Sequence, residues 1–440
     1  MAQRVEPIVH AGVAGPEEAA RAPQQEAVAS AASREPERGF TERTFWSLRH
    51  RNYRLLWFGS LFSSSGMWIQ QVSIGWLTYQ VTGSAFLLGA VNGFRSLPLL
   101  ILGPFGGVAA DRLDRKKLMF ITQMFLMTVT AAFATVVFLD YARVWNIILF
   151  SLLTGVGWAF NMPVRQSMVA EVVPRSDLQN AIALNSVGFN MTRIIGPSVS
   201  GLLIAAVGIA GNFYLQAAMY IGVAAMVWQM TVNTERRHTR DESILRNLAD
   251  GARYVWGNRP LRLQMTVALL PPLLAMPYVS LMPIFAKDVL GQHEIGFGLL
   301  MAAPGVGAVI GTLMIASAKD VKRRGLLVFI CLIGLGASLA AFSQSQWFGV
   351  SLGLLVFVGA FQMVYMSTNQ TMLQLKTPSE YRGRVMGIYM LNQGLMPLGS
   401  LFAGTLAQFR GAPFTVAVMG LSVVVLATLA LFTMSAVREA

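Results

Sequence analysis

The chain has 440 residues, 54% of them hydrophobic and only 12% charged, with a mean hydropathy of +0.54. A soluble globular domain carries about a quarter charged residues, so this composition excludes one and points to a membrane protein. The formal charge of +13 sits in the stretches between apolar runs, which reads as membrane topology and not as a nucleic-acid surface.

In chain order, residues 1–44 are rich in Ala, Glu, Pro and Arg and hold no apolar stretch long enough for a signal-peptide core. They read as a disordered cytoplasmic tail. A helix crossing about 30 Å of hydrocarbon needs roughly 20 apolar residues. Such runs come at 53–81, 86–110, 118–140, 144–173, 178–209, 211–231, 262–288, 295–318, 325–343, 347–375, 384–408 and 412–434. The expectation is an all-α membrane protein with twelve transmembrane helices. Two six-helix bundles would occupy 45–231 and 262–434, with a cytoplasmic linker at 232–261 and a tail at 435–440. In the linker Ile244, Leu245, Leu248, Ala252 and Val255 share one face, as in a helix lying along a membrane surface.

The basic residues orient these spans. Loops on the side of the amino terminus collect Arg112, Arg115, Lys116, Lys117, Arg175, Arg382 and others, whereas the opposite loops hold only Arg143, Lys287 and Arg410. Both termini are therefore expected in the cytoplasm, with the protein multi-pass in the inner (plasma) membrane. The outer loops are too short for an external catalytic or receptor domain. Two pairs of segments also repeat between the halves. RQSMVAEVVPRSDLQNAIALN from Arg165 lies on NQTMLQLKTPSEYRGRVMGIY from Asn369, and GPFGGVAADRLDRK from Gly103 lies on GTLMIASAKDVKRR from Gly311. A parallel duplication with pseudo-two-fold symmetry explains both.

Between the second and third spans, Gly107, Asp111, Arg112, Arg115 and Lys116 resemble the loop signature of the major facilitator superfamily, with Asp114 where that family usually has Gly. The resemblance implies alternating access between the two bundles. It also implies a cytoplasmic gate in which these residues make charge contacts with neighbouring helix ends; Arg165 and Glu171, near the inner end of the fourth span, are expected to join it as an ion pair. The segments 159–201, 244–262 and 382–389 are similar to the enterobactin (siderophore) exporter branch of the superfamily. Within the first of them Gly196, Pro197 and Gly201 match most of an element the superfamily associates with export, although Thr192 and Ser200 replace two of its glycines. Pro197 removes one backbone donor and can bend the helix, while Gly196 and Gly201 admit a close neighbour.

Charges within spans are the most informative residues, because each costs at least about 2.5–3.5 kcal/mol at mid-helix. Arg95 and Arg193 fall near mid-depth, and no Asp or Glu lies at a comparable position. Ser186, Asn190, Arg193 and Pro197 share a helical face, and Gln70 and Gln71, flanked by Trp68, add donors and an aromatic surface from the first span. Unpaired positive charge there suits an anionic solute. The second half offers Gln362, Tyr365, Asn369, Asn392 and Gln393, with Met363, Met366, Met386 and Met390 around them.

No phosphate-binding loop is visible, which leaves secondary transport. No cofactor is implied, the four histidines lack metal-ligand spacing, and the single Cys331 forms no internal disulfide. The expected partners are a small-molecule substrate and the lipid bilayer, for a protein acting as a monomer. Protons are a candidate coupling ion, because proton antiport is usual among similar exporters. Any protonation site would sit near a gate, at Asp111 or Glu171, or on the solute. Export of a small anionic, siderophore-like molecule is the favoured reading. Proton-coupled multidrug efflux of lipophilic compounds is the alternative, and a non-transporting membrane receptor is the alternative of another class.

Overall fold

A computed structural model describes residues 44–232, 244–317 and 323–434. The chain divides into two compact units, 1–46 and 47–440; of the first only 44–46 are described, and the helices numbered α1–α13 all lie in the second. The expected amino-terminal and carboxy-terminal tails therefore lie almost wholly outside the described residues.

Among those residues the secondary structure is entirely helical. The helices are α1 (Arg51–Thr82), α2 (Ala85–Arg112), α3 (Arg115–Phe138), α4 (Val144–Val172), α5 (Leu178–Gln229), α6 (Ile244–Gly257), α7 (Arg259–Val289), α8 (Glu294–Ser317), α9 (Arg324–Gln344), α10 (Phe348–Lys376), α11 (Ser379–Gln393), α12 (Met396–Arg410) and α13 (Ala412–Thr433). Short polar side chains start several of them. Ser84 accepts the Leu87 N–H at 3.3 Å and Asn258 accepts the Leu261 N–H at 3.2 Å, each satisfying a donor that the first turn leaves free.

Nine of the described helices are long and apolar enough to cross a membrane, against an expectation of twelve spans. The two counts part at three places. Helix α5 runs for 52 residues but breaks at Gly208, where φ 73° and ψ 174° are open to glycine and not to a side chain. A straight helix of that length would extend about 78 Å, far beyond a hydrocarbon layer. The stretch expected at 384–408 is two helices of 15 residues each, α11 and α12, because Pro397 in the first turn of α12 cannot continue a helix from α11. Helix α1 is long but carries Ser60, Ser63, Ser64, Ser65, Gln70 and Gln71 in its middle, which lowers its hydropathy. Helix α7, read from sequence as one regular span, contains wide turns at Pro271–Ala275 and Phe285–Val289, next to Pro271, Pro272, Pro277 and Pro283.

The first half packs α1 and α3 against α5, and α2 against α4; the second packs α8 against α10, and α9 against α13. Stacked Phe133 and Phe150, 4.1 Å apart with Phe213 edge-on, centre one core, and Phe285, Phe297, Phe329 and Phe342 are buried in the other. Two crossings join the halves, α5 with α8 and α2 with α12. Both are made by small residues. A Cβ at Gly201 would come within 2.5 Å of the Glu294 carbonyl oxygen, and one at Gly89 within 2.2 Å of the Ser400 carbonyl oxygen, so the backbones touch directly. Both crossings lie near the turns at Gly83, Gly208 and Gly291, which mark one end of the bundle; the α2–α3 loop marks the other.

Candidate functional site

Between the halves, at mid-depth, lies a cavity of about 200 Å³. Its charged and hydrogen-bonding side chains from the first half are Trp68, Gln71, Arg95 and Arg193; the second half supplies Met276, Tyr278, Met282, Met301, Gln362 and Met396 with a few aliphatic residues. Arg95 is ten residues into α2 and Arg193 fifteen into α5, about 15 and 22 Å along their axes. Neither guanidinium has a hydrogen-bond or ion-pair partner among the described residues. Gln71 is held by its Nε2 donating to Asn92 Oδ1 at 3.1 Å, which leaves its carbonyl free toward the cavity. The wall is therefore polarised, with positive charge on one side and thioether, phenol and aliphatic surface on the other.

The sequence-derived residues divide between this cavity and the surrounding scaffold. Trp68, Gln71, Arg95, Arg193 and Gln362 line it. Gln70 does not: its Nε2 donates to Thr154 Oγ1 at 3.0 Å and its Oε1 accepts from Gln216 at 3.1 Å, which ties α1 to α4 and α5 in the interior. Ser186 and Asn190 lie below Arg193 on the same face of α5 but donate to their own helix, to the Ile182 and Ser186 carbonyls at 3.0 and 2.9 Å. In the second half, Asn369 pairs with Gln264 at 3.2 Å and Asn392 reaches the Met265 carbonyl at 3.4 Å, so both serve packing. The thioethers at the cavity belong to Met276, Met282, Met301 and Met396, not to the expected Met363, Met366, Met386 and Met390. The signal for Met276, Tyr278 and Met282 was the proline-broken run 271–283, since interrupted helices line cavities in transporters.

The face of α5 that carries Arg193 is closed above it and open below. Pro197 and Gly201 pack against Gly298 of α8, where an added Cβ would approach the Pro197 carbonyl to 2.6 Å, and Gly196 has the Trp68 side chain 2.7 Å from the position of its own Cβ. Ser186, at the other end of the face, is exposed.

At the loop end Arg115 organises the charges. It forms ion pairs with Glu171 and, at 3.3 Å, with Asp111, and its Nε donates to the Ala110 carbonyl at 2.7 Å. Lys116 donates to the Met230 carbonyl at 2.6 Å, beside the last turn of α5, where a cation is favoured. Glu171 is thus taken by Arg115, and the expected Arg165–Glu171 pair is absent: Arg165 lies two turns deeper and meets Ser64 and Trp158. Asp114 caps α3 by accepting the Lys117 N–H at 3.1 Å, with φ −63°, so the turn does not need the glycine the family usually has there. Gly107 faces open space, and it is Gly106 that lets α4 approach, at the Ala159 carbonyl. Nearby, Asp177 receives Arg49 and His50, each at 2.8 Å. Residues 318–322, which hold most of the second copy of this loop, lie outside the described residues.

A family model described as a transmembrane secretion effector, of the major facilitator superfamily, matches residues 42–440. The chain belongs to that family. Among relatives of this transporter is the staphyloferrin A transporter of Staphylococcus aureus (strain NCTC 8325 / PS 47), 27% identical across 82% of this chain and 92% of that one. Another is the multidrug efflux pump Tap of Mycolicibacterium fortuitum, 27% identical across 86% and 94%. Macrolide efflux protein A of Streptococcus pyogenes is 22% identical across 82% and 92%. Solved structures share the fold: the nucleoside transporter NupG has a TM-score of 0.70 at 14% identity, covering 87% of this chain and 99% of its own. A bacterial homologue of the human lysosomal transporter Spinster, inward-facing and unoccupied, has a TM-score of 0.70 at 15% identity, covering 89% and 97%. The protein is a multi-pass secondary transporter, and its relatives and fold neighbours are transporters and not enzymes.

Proposed function

We propose that the transporter exports a small organic anion, of the siderophore type, across the plasma membrane by alternating access. The carrying observation is the pair Arg95 and Arg193, two guanidinium groups without partners among the described residues at one mid-depth cavity. A buried cation without a counter-ion is costly, and a carboxylate or phenolate of the solute would offset that cost through bidentate, charge-assisted bonds. The relative named for staphyloferrin A transport supports the same class. Trp68 and Gln71 would orient the solute, and Ser186 and Asn190 would line its route toward the loop end. Both termini face the cytoplasm in this reading, and α5 passes twice while α1 and α11–α12 each pass once, giving twelve spans in two bundles. The Arg115–Asp111–Glu171 cluster and Lys116 serve the cytoplasmic gate, protons are the counter-transported ion, and the working unit is the monomer.

The test is accumulation of a radiolabelled anionic siderophore in inverted membrane vesicles, with and without an imposed pH gradient. Gradient-dependent accumulation supports the proposal; accumulation of a lipophilic dye cation in its place would contradict it. That second outcome is the multidrug reading, and the methionine-rich wall of Met276, Met282, Met301 and Met396 favours it, because flexible thioethers adapt to varied apolar shapes.

A further inference from the structure

Arg165 is a third buried guanidinium, and neither the gate nor the cavity accounts for it. It lies on α4 seven residues before Val172, about 10 Å from the loop end of that helix, with only 9% of its surface exposed. One of its nitrogens reaches Ser64 Oγ at 3.4 Å, and its guanidinium carbon lies 5.7 Å from the Trp158 ring centroid. Among the described residues these are its only contacts of the hydrogen-bonding or cation–π kind, so most of its five donors are unspent. No carboxylate pairs with it there, because Glu171 is bound to Arg115. The Tyr220 hydroxyl, which accepts from Gln216 at 3.0 Å, is within electrostatic reach of both Arg165 and Arg95, and a phenol brings no negative charge to either. Around Arg165 the interior is short of partners. The Ser60 hydroxyl, one turn from Ser64 on the same face of α1, is buried with none.

A cation left in this state needs an anion, and the described residues do not supply one. We propose that Arg165, Ser64 and Trp158 form a second anion station, which takes an oxyanion of the transported solute between the loop end and the central cavity. The inference rests on the anion reading of that cavity. With Arg165 nearer the loop end and Arg95 and Arg193 at mid-depth, the first half presents a ladder of positive charge along the route. Such a ladder lets a charged group move inward without crossing apolar wall unaccompanied.

Iodide is a suitable probe, since it is a small anion that quenches indole emission on contact. Tryptophan emission of the purified full-length protein is titrated with iodide at constant ionic strength, and the Trp158 part is isolated by difference from Trp158→Phe. The expected result is a saturable Trp158 component whose half-saturation rises at least tenfold in Arg165→Gln and returns toward the parent in Arg165→Lys. A Trp158 component in the parent that is absent, or strictly linear in iodide, overturns the station whether or not any Arg165 variant folds. So does a saturable one that Arg165→Gln leaves unchanged. The outcome is independent of the central reading, because a parent that fails to carry any anionic siderophore into vesicles would contradict that reading while the iodide titration still decides this one.

Discussion

Arg193 and Arg95 reach the same cavity from different helices, and each carries a charge that no other described residue neutralises. A hydrogen bond to a charged group is worth about 1.5–3 kcal/mol. Arg193→Gln should therefore weaken the apparent affinity for an anionic solute by about tenfold to a hundredfold, read from the concentration dependence of vesicle uptake at matched protein level, and Arg193→Lys should recover part of it. At the loop end Asp177 makes a separate, structural prediction. The hydrogen bond from His50 holds its carboxyl below the ordinary value of 3.8; Ser176 and Arg49 reinforce the shift and burial opposes it. The folded state then binds its proton less readily than the unfolded chain, so the stabilisation is complete above the ordinary value and fades as pH falls through the lowered one. Asp177→Asn should melt at a lower temperature than the parent at pH 7, and the two melting curves should converge as the pH falls below 3.8. What was legible at this scale was depth: counting residues into an apolar run places Arg95 and Arg193. What was not legible was which polar neighbours are already satisfied. Gln70, Ser186 and Asn190 have the right helical phase, but their hydrogen bonds go to Thr154 and Gln216 or to their own backbone.

Helix pairs hold the halves together. The α5–α8 and α2–α12 crossings are closed by glycines whose missing Cβ atoms would lie 2.2–2.6 Å from the facing carbonyl oxygens at Gly89, Gly201 and Gly298. Gly201→Leu cannot keep that contact and should favour the state in which this end is open. On a Cys331→Ser background, a cysteine introduced at Ser400, buried in the neighbouring crossing, should be labelled several-fold faster by a membrane-impermeant maleimide in the Gly201→Leu variant; equal labelling would show that the crossings do not open together. Most helix boundaries follow from apolar runs ended by Gly, Ser or Asp. The exceptions are physical. Pro397 splits an apolar run that composition alone reads as continuous, and the prolines of 271–283 open α7 into wide turns that present Met276, Tyr278 and Met282 to the cavity. Hydropathy registers the lipid-facing surface and is blind to such breaks.

Over the whole molecule, the two halves have different jobs. The first brings the charge and the buried polar network of Gln70, Gln216 and Tyr220; the second brings a soft apolar wall. The internal repeat in the sequence carries no sign of this division, because duplicated helices keep their packing positions while the cavity-facing side chains diverge. The family relationship places the protein among transporters whose relatives are named for a siderophore, for several drugs and for macrolides, and in the proposed reading the polarity of this cavity favours the anion. The most direct test compares uptake of an anionic siderophore and of a lipophilic dye cation into inverted vesicles, for the parent and for the Arg95→Gln/Arg193→Gln double variant. The parent should prefer the anion, and the double variant, at equal protein level, should lose anion uptake by a hundredfold or more without losing the cation. Unchanged anion uptake in the double variant would contradict a substrate-binding role for the two arginines.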